Sequence, residues 1–213
     1  MAQELGQGRD IRRAILDAAR KVFAAYGFYG ATTRLIAETA NVNVAMIHYH
    51  FDSKEQLYRV VLREQAEQYC GAALERLAAA ADGPRAAALE AVLAALLLPL
   101  LEIARADLER ARNVVCLANQ LSYAADPWSE AMMNELFDSF GARFVDAFAR
   151  AIPGLGHSDA VWAYLFALVL CGEALMLAGT SQAEIAAGNG LEASFARTLK
   201  VLEAGIRSLS KPS

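Results

Sequence analysis

The chain has 213 residues, of which 56% are hydrophobic, more than the ~45–50% of an average globular domain, so there is material for a core and for a subunit interface. Its three cysteines, Cys70, Cys116 and Cys171, are odd in number and far apart, which excludes a disulfide scaffold and a Cys-x-x-Cys metal site and predicts reduced, buried thiols. The net charge is −4, but residues 1–60 hold eight Lys/Arg against six Asp/Glu, and the remainder holds twelve against eighteen. The positive charge is therefore kept in the first part of the chain, where phosphates would lie if the protein binds DNA.

The first predicted helix starts at Asp10, whose carboxylate can cap its free N–H groups. Apolar residues then recur at three- and four-residue spacing, which predicts one buried face. Gly27 ends this helix, and Gly30 permits the turn that follows. Residues 1–8 are polar; we expect a disordered arm there rather than a secretory signal, and a cytoplasmic location.

Residues 32–54 predict two short helices joined by a tight turn and followed at once by a third helix. Thr32 and Thr33 offer hydroxyls that can cap the first helix. Asn41 tolerates the left-handed conformation that ends a helix, and Asn43 can cap the next one. This order of caps and breaks predicts a helix-turn-helix.

The second of these helices, residues 44–50, has a distinct inner and outer face. Ile47 and Phe51 lie four residues apart and share the inward face. The outer face presents small apolar, aromatic and imidazole groups, which suit the base edges and thymine methyls of a DNA major groove. The outward residues are Val44, Ala45, Met46, His48, Tyr49 and His50.

This stretch resembles the DNA-binding head of the tetracycline-repressor (TetR) family over residues 9–62. The markers that carry the resemblance are Ala18-Ala19, Phe23, Tyr26-Gly27, Thr32-Thr33, Ile36-Ala37, Ala40-Asn41-Val42, Tyr49-His50-Phe51, Lys54 and Leu57. Asn41 stands where the family usually has Gly, and His48 where an aromatic residue is most often found. The resemblance implies an all-α fold with a three-helix head over residues 9–53, a larger helical body for effector binding and dimerisation over 54–209, and a tail over 210–213.

Two kinds of DNA contact are expected from this head. Hydroxyls and a first-turn lysine suit phosphate oxygens, and the expected phosphate contacts are Thr33, Tyr49 and Lys54. A cation is unusual in the first turn of a helix, so Lys54 is either a phosphate contact or a solvated surface lysine. Arg34 can read a guanine through its forked guanidinium. The expected neighbours of base edges are Arg34, Val44, Ala45, Met46, His48 and His50.

The body is predicted to be a series of helices separated by Gly, Pro and Asp breaks. Ser53 is a natural cap for the first of them, and Ser158 or Asp159 for a later one. Pro99 kinks or interrupts the helix that contains it. The predicted helices span residues 54–81, 85–106, 108–125, 128–152, 159–178 and 191–209.

Two late helices carry more apolar surface than one small body can cover. Helix 128–152 has an aromatic stripe, and helix 159–178 is apolar nearly all round, so a second subunit is expected to cover it. The resemblance implies a homodimer in which two late helices of each subunit form a four-helix bundle. Helix 191–209 is an alternative member of that pair. The expected interface residues are Phe144, Phe148, Trp162, Phe166 and Val169.

Helix 108–125 mixes apolar residues with a few polar groups, as the walls of small-molecule pockets do. The resemblance implies an effector cavity between this helix and helices 54–81, 85–106 and 128–152. Ordinary core packing is the alternative for each candidate residue. The candidates are Tyr69, Leu93, Leu97, Leu101, Cys116, Asn119, Gln120, Tyr123, Trp128 and Phe137, so a mainly apolar effector is expected.

Catalytic and metal signatures are absent from the sequence. There is no G-x-S-x-G elbow, P-loop or G-x-G-x-x-G motif, and His48 and His50 point apart at i, i+2 on a helix. No enzyme, cofactor or metal is therefore expected. The apolar runs 91–101 and 160–179 are interrupted by Pro99 and Glu173, which favours buried helices over membrane spans.

The sequence thus predicts a homodimeric, ligand-responsive transcription regulator, a repressor released from a palindromic operator by a small apolar effector. Two alternatives from other classes remain open. One is a helical enzyme or a lipid- or small-molecule-binding protein with an incidental head, which metal dependence or turnover would support. The other is a constitutive DNA-binding architectural protein, which a cavity too small or too polar for a ligand would favour.

Overall fold

The computed structural model describes residues 2–80, 88–124, 126–178 and 190–209, with side chains from residue 9 onward and without that of Ala88. Within these ranges the chain is helical, without strands, and the predicted all-α class is confirmed. The helices are α1 (Ala2–Gly30), α2 (Thr33–Ala40), α3 (Val44–Phe51), α4 (Lys54–Ala80), α5 (Ala88–Ala106), α6 (Leu108–Tyr123), α7 (Pro127–Ala151), α8 (His157–Leu177) and α9 (Leu191–Ser208).

Helix α1 is longer at its start than the sequence indicated. It begins at Ala2, so a start at Asp10 and a disordered arm over residues 1–8 are wrong from residue 2 onward. Alanine, glutamine and glutamate are good helix formers, and they outweigh the cost of the two glycines in this segment. Near the other end, Gly27 has φ 68° and ψ 177°, a conformation that L-residues rarely adopt. The predicted break at Gly27 is confirmed, and one further turn reaches Gly30.

Side-chain caps fix several of the later helix starts. The Ser53 hydroxyl accepts a hydrogen bond from the Gln56 N–H at 3.1 Å, as predicted. Asp126 accepts from the N–H groups of Trp128 at 3.1 Å and Ser129 at 3.0 Å. Helix α8 instead starts after Gly156, which makes no side-chain cap. The prediction that Ser158 or Asp159 caps this helix is wrong, because an extended glycine already turns its carbonyl toward the Ala160 N–H at 2.9 Å.

Helix α5 continues through Pro99 without interruption. Proline lacks the N–H that would bond the Ala95 carbonyl. The Tyr69 hydroxyl donates to the adjacent Leu96 carbonyl at 2.9 Å. The Tyr69 hydroxyl thus supplies a side-chain donor to the turn of α5 in which Pro99 has no backbone N–H.

The chain divides into two compact units, residues 1–67 with 113–130, and residues 68–112 with 131–213. The first unit therefore reaches beyond the predicted head boundary at residue 53. Its core includes Phe23, whose ring meets Tyr58 edge to face at 4.7 Å. The second unit has its own aromatic core, in which Phe144 lies 4.9 Å from Phe140 and is stacked on Tyr164 at 6.4 Å.

Helix α8 is both long and strongly apolar. It is long enough to cross a membrane, and an 18-residue window within it has a mean hydropathy of 2.0, which is apolar enough to do so. Within the chain, 39% of that window is buried. Length and composition are weak evidence for a span, since core helices of globular proteins meet the same criteria. Glu173 lies on its exposed side.

Candidate functional site

The α2–α3 pair has the cap geometry that the sequence indicated. The Thr32 hydroxyl accepts from the Leu35 N–H at 3.1 Å. Asn41 ends α2 in the left-handed conformation, with φ 54° and ψ 45°. The Asn43 side chain then accepts from the Ala45 N–H at 2.9 Å and starts α3. The helix-turn-helix is therefore built from local side-chain bonds at both sides of its turn.

Burial fixes which face of α3 is turned outward. Ile47 is 0% and Phe51 3% exposed, so these two residues attach α3 to the rest of the unit, as predicted. On the opposite side Val44 is 40% and Tyr49 78% exposed. A residue as apolar as Val44 on an open helix face is available to a binding partner.

The remaining outward residues of α3 are not equally accessible. Ala45 and His48 are exposed, whereas Met46 and His50 are half-buried. The His50 Nε2 atom is buried and has no hydrogen-bond partner among the described residues. His48 Nδ1 lies 3.1 Å from the Asp52 carbonyl. Base contacts from the two histidines stay predictions, and His50 would need to turn its ring.

Lys54, the first residue of α4, has defined contacts within the chain and is not a solvated surface lysine. Its half-buried ammonium group donates to the carbonyls of Phe28 at 2.9 Å and Ala31 at 3.1 Å. The nitrogen also lies 4.4 Å from the centre of the Phe28 ring, a cation–π distance. These contacts hold the turn between α1 and Thr32. An ammonium group has three N–H bonds, so one remains for the predicted phosphate.

Arg34, the predicted guanine-reading residue, is open to solvent. Its side chain is 86% exposed, and its Nε donates to the Glu38 carboxylate at 2.9 Å, one turn further along α2. Thr33, the predicted phosphate contact beside it, is half-buried at the first position of α2.

Two predicted effector residues, Gln120 and Trp128, lie in the first unit against the end of α1. The Gln120 amide donates to the Ala24 carbonyl at 2.9 Å. Trp128 stacks on Phe28 at 5.2 Å and lies 5.7 Å from Tyr58. Burial raises the pKa of Tyr58 to about 12, because the charged phenolate would lose its water. The structure thus places Gln120 and Trp128 beside the head.

Four predicted effector residues lie in the second unit, three as buried leucines and one as the half-buried Tyr69. Leu93, Leu97 and Leu101 of α5 are between 0% and 4% exposed. Tyr69 packs its ring 5.6 Å from Phe140, and burial raises the pKa of its hydroxyl well above the ordinary value. Phe137, also in this unit, is half-buried.

On α6, Cys116 is half-buried while Asn119 and Tyr123 are exposed, Tyr123 at 76%. The effector role of the whole set stays a prediction.

Gln65 of α4 is a further candidate residue that the sequence pattern did not predict. It is 6% exposed, and neither its amide nitrogen nor its amide oxygen has a hydrogen-bond partner within the part of the chain described. Burying such a group without partners is unfavourable by several kcal/mol (roughly 2–7), so Gln65 is a candidate anchor for a polar group. The available signal was a polar residue seven positions after Tyr58, on the same helix face.

The predicted dimer residues fall into two groups. Phe144 and Phe148 are 0% exposed within the chain itself. A side chain with no exposed surface has none to lose to a partner, so their assignment to a subunit interface is wrong, and they are core residues. Trp162, Phe166 and Val169 are 53%, 50% and 50% exposed. With Leu165 and Leu170 they form the outer stripe of α8.

No group of three or more His, Cys, Asp or Glu side chains that could hold a metal ion occurs among the described residues. Burial raises the pKa of both Cys70 and Cys171 to about 12, so these thiols stay protonated at neutral pH.

Comparison with known proteins identifies the two parts of the chain separately. The family of bacterial regulatory proteins of the tetR type matches residues 15–61, and the tetracyclin repressor-like C-terminal domain matches residues 94–205. The transcriptional repressor AcnR of Corynebacterium diphtheriae is 42% identical over 55 residues, which are 26% of this chain and 29% of AcnR. The chain thus matches less than a third of that relative.

Two solved structures share the fold over nearly the whole chain. The fatty acid degradation regulator FadR of Bacillus halodurans has a TM-score of 0.66 at 15% identity, covering 92% of this chain and 96% of its own. FadR of Bacillus subtilis, solved in complex with stearoyl-CoA, has a TM-score of 0.64 at 19% identity, covering 91% and 98%. The exposed helix-turn-helix and the two domain matches, the second of which covers more than half of the chain, lead to one conclusion: the protein belongs to the TetR family of transcriptional regulators, a family of ligand-responsive repressors.

Proposed function

We propose that the protein is a homodimeric repressor that binds a palindromic operator through two α2–α3 heads and leaves it when an apolar effector binds. The observation that carries this proposal is the open outer face of α3, which the caps at Thr32 and Asn43 hold in a fixed orientation. A short helix fixed in this way and open on one side fits a DNA major groove.

The proposed DNA contacts divide by chemistry. Thr33, Tyr49 and the third N–H of Lys54 bind phosphates and fix the register of the head. Arg34 and the outer residues of α3 read base edges, Arg34 at a guanine and Val44 at a thymine methyl. The second role of Lys54 is internal, because it holds the turn that positions α2.

The proposed dimer uses the outer stripe of α8, with helix α9 as a neighbour. Exposed apolar residues at i, i+3, i+4 and i+7 form a continuous patch, which on a monomer marks an interaction site. Trp162 and Phe166 lie 5.4 Å apart within it, and aromatic residues are enriched at interface centres. Two such stripes around a two-fold axis would cover each other.

The proposed effector is mainly apolar and carries one uncharged polar group. Apart from Gln65 and Ser129, the buried residues of the described chain are apolar, tyrosine or cysteine. An ionised ligand group would therefore be buried without a charged partner, which is strongly unfavourable. A neutral group with a donor and an acceptor would satisfy the Gln65 amide. The stearoyl-CoA bound to FadR of Bacillus subtilis is a reason to include acyl compounds among the probes.

Selection of bound DNA from a random pool tests the DNA half of the proposal. We expect an inverted repeat whose half-sites are centred about one helical turn apart or a multiple of it. Enrichment of a single asymmetric site, or of no sequence, would contradict dimeric operator recognition.

A thermal-shift screen tests the effector half. Decanamide, an apolar probe with one neutral polar group, should be compared with the ionised probes decanoic acid and stearoyl-CoA and with glucose and ATP as polar controls, each followed by an operator-release measurement. Decanamide should raise the melting temperature by mass action and release the DNA, and decanoic acid, which has the same chain length, should do so less at equal concentration. Release by the polar controls alone would reject an apolar effector.

A further inference from the structure

Arg34 does not stand alone on the surface of α2. Its Nε–H donates to Glu38 Oε1 at 2.9 Å, and the two side chains are 86% and 60% exposed. Residues four apart on a helix lie one above the other, so the contact follows from the regular geometry of α2. The glutamate therefore shares with Arg34 the surface where DNA is proposed to bind.

The atoms used in this contact matter more than its strength. An exposed i, i+4 pair contributes only about 0.3–0.5 kcal/mol to stability. However, the guanidinium is planar and carries five N–H donors in a fixed fork. Glu38 takes the donor at Nε and leaves the four donors on the two terminal nitrogens. Those terminal nitrogens are free to donate to guanine O6 and N7 together.

We propose that Glu38 is a positioning residue for Arg34: by holding Nε it orients the fork toward one guanine and narrows the choice of base at that position. This inference rests on the proposed reading of guanine by Arg34. Glu38 has a second effect, because its negative charge lies close to DNA phosphates and weakens binding to every sequence. Glu38 thus lowers general affinity and raises selectivity.

Two substitutions separate these effects. Glu38→Gln removes the charge and keeps an oxygen that accepts from Nε, whereas Glu38→Ala removes both. Alanine and glutamine are good helix formers, so α2 should stay folded, which circular dichroism checks. Binding should be titrated on the selected operator, on operators changed at the Arg34 base pair in each half-site, and on scrambled DNA.

Both variants should bind scrambled DNA more tightly than the wild type does. Glu38→Ala should lose a part of the roughly 5- to 150-fold discrimination that one arginine–guanine pair supplies, and Glu38→Gln should keep it within about two-fold. Glu67→Gln, which removes one exposed carboxylate on a different helix, α4, is the control for net charge. It should leave discrimination unchanged.

An equal gain on all DNA sequences in Glu38→Ala, with discrimination intact, would overturn the positioning role and leave only charge repulsion. The variant Arg34→Ala distinguishes this failure from a failure of the proposed function. If Arg34→Ala does not relax the choice of base, Arg34 is not the reader. If Arg34→Ala relaxes it and Glu38→Ala does not, only the positioning role is wrong. In the double variant, Glu38→Ala should have no further effect on discrimination.

Discussion

Helices α3 and α8 both have one buried and one open face, but they are held in different ways. Helix α3 has eight residues and is fixed by a side-chain cap at Asn43 and by two buried residues, Ile47 and Phe51. Helix α8 has 21 residues and no side-chain cap at its start. Its place depends on a row of small and apolar residues buried against its own unit.

The open faces of the two helices also differ, in the chemistry of their side chains. The outer face of α3 mixes imidazole, phenol and small apolar groups, whereas that of α8 is formed by Trp162, Leu165, Phe166 and Val169. Hydrogen-bonding groups are of use against base edges, which are polar. An apolar stripe is of use against another apolar stripe. The same helical scaffold is therefore matched to its partner by the chemistry of one face.

The largest effect is expected on α8. Phe166→Glu would bury an unpaired charge at the centre of the proposed interface, which costs several kcal/mol. The wild type should have about twice the chain mass of 22.9 kDa by light scattering, and the variant the chain mass itself. Phe166→Leu is the control and should stay dimeric. A wild-type protein that is monomeric at micromolar concentration would contradict the proposed interface on α8, and with it the contrast between α8 and α3.

A smaller effect is expected at the turn before α2. Lys54→Met leaves the Phe28 and Ala31 carbonyls without their donor, which should lower the free energy of unfolding by about 1–3 kcal/mol. If the third N–H binds a phosphate, the slope of log affinity against log salt should also fall by about two per dimer. The control for the loss of one charge is Lys200→Met, at an exposed lysine of α9. An unchanged slope with lowered stability would leave Lys54 only its internal role.

A loss of about 1 kcal/mol is expected for Asn43→Ala, which removes the cap of α3. Because α3 is short, operator binding should weaken together with stability in urea titrations. Asn43→Ser keeps a capping oxygen and should restore most of both. If Asn43→Ala changes neither quantity, the local caps do not distinguish α3 from α8.

The smallest effect is expected at acid pH near Trp128. Hydrogen bonds from the Ser129 hydroxyl and from backbone N–H groups lower the pKa of Asp126 below its ordinary value of 3.8. The folded pKa is depressed, so the stabilisation is present above about pH 4 and disappears as the pH falls through the folded pKa. Asp126→Asn should flatten this part of the stability curve. A wild type and variant with parallel acid curves would contradict the pKa shift.

The features that sequence reasoning predicted well are local ones. Thr32, Asn41 and Asn43 act within four residues of their own positions, so their roles follow from local backbone geometry. The break at Gly27 and the cap at Ser53 belong to the same kind. The start of α1 at Ala2 was missed because helix propensity, without a cap signal, was enough to extend it.

The features that the sequence could not supply depend on which face of a helix meets the core of its own chain. Phe144 and Trp162 look alike as apolar members of late helices, yet one is buried and the other half exposed. Hydrophobic periodicity identifies an apolar stripe on a helix, but it does not indicate whether the same chain or a second chain covers that stripe. Gln65 and the contacts of Lys54 also required the fold, because their environments come from residues distant in the chain.

The two tryptophans of the chain report on different events. Trp128 is stacked on Phe28 in the unit that contains the helix-turn-helix, and Trp162 is half exposed on α8. Indole emission depends on contact with water, so Trp162→Phe should leave a fluorescence signal that follows the surroundings of the head. Trp128→Phe should leave one that shifts to shorter wavelength as two chains associate. The protein thus carries one optical probe in each of its two units, without any added label.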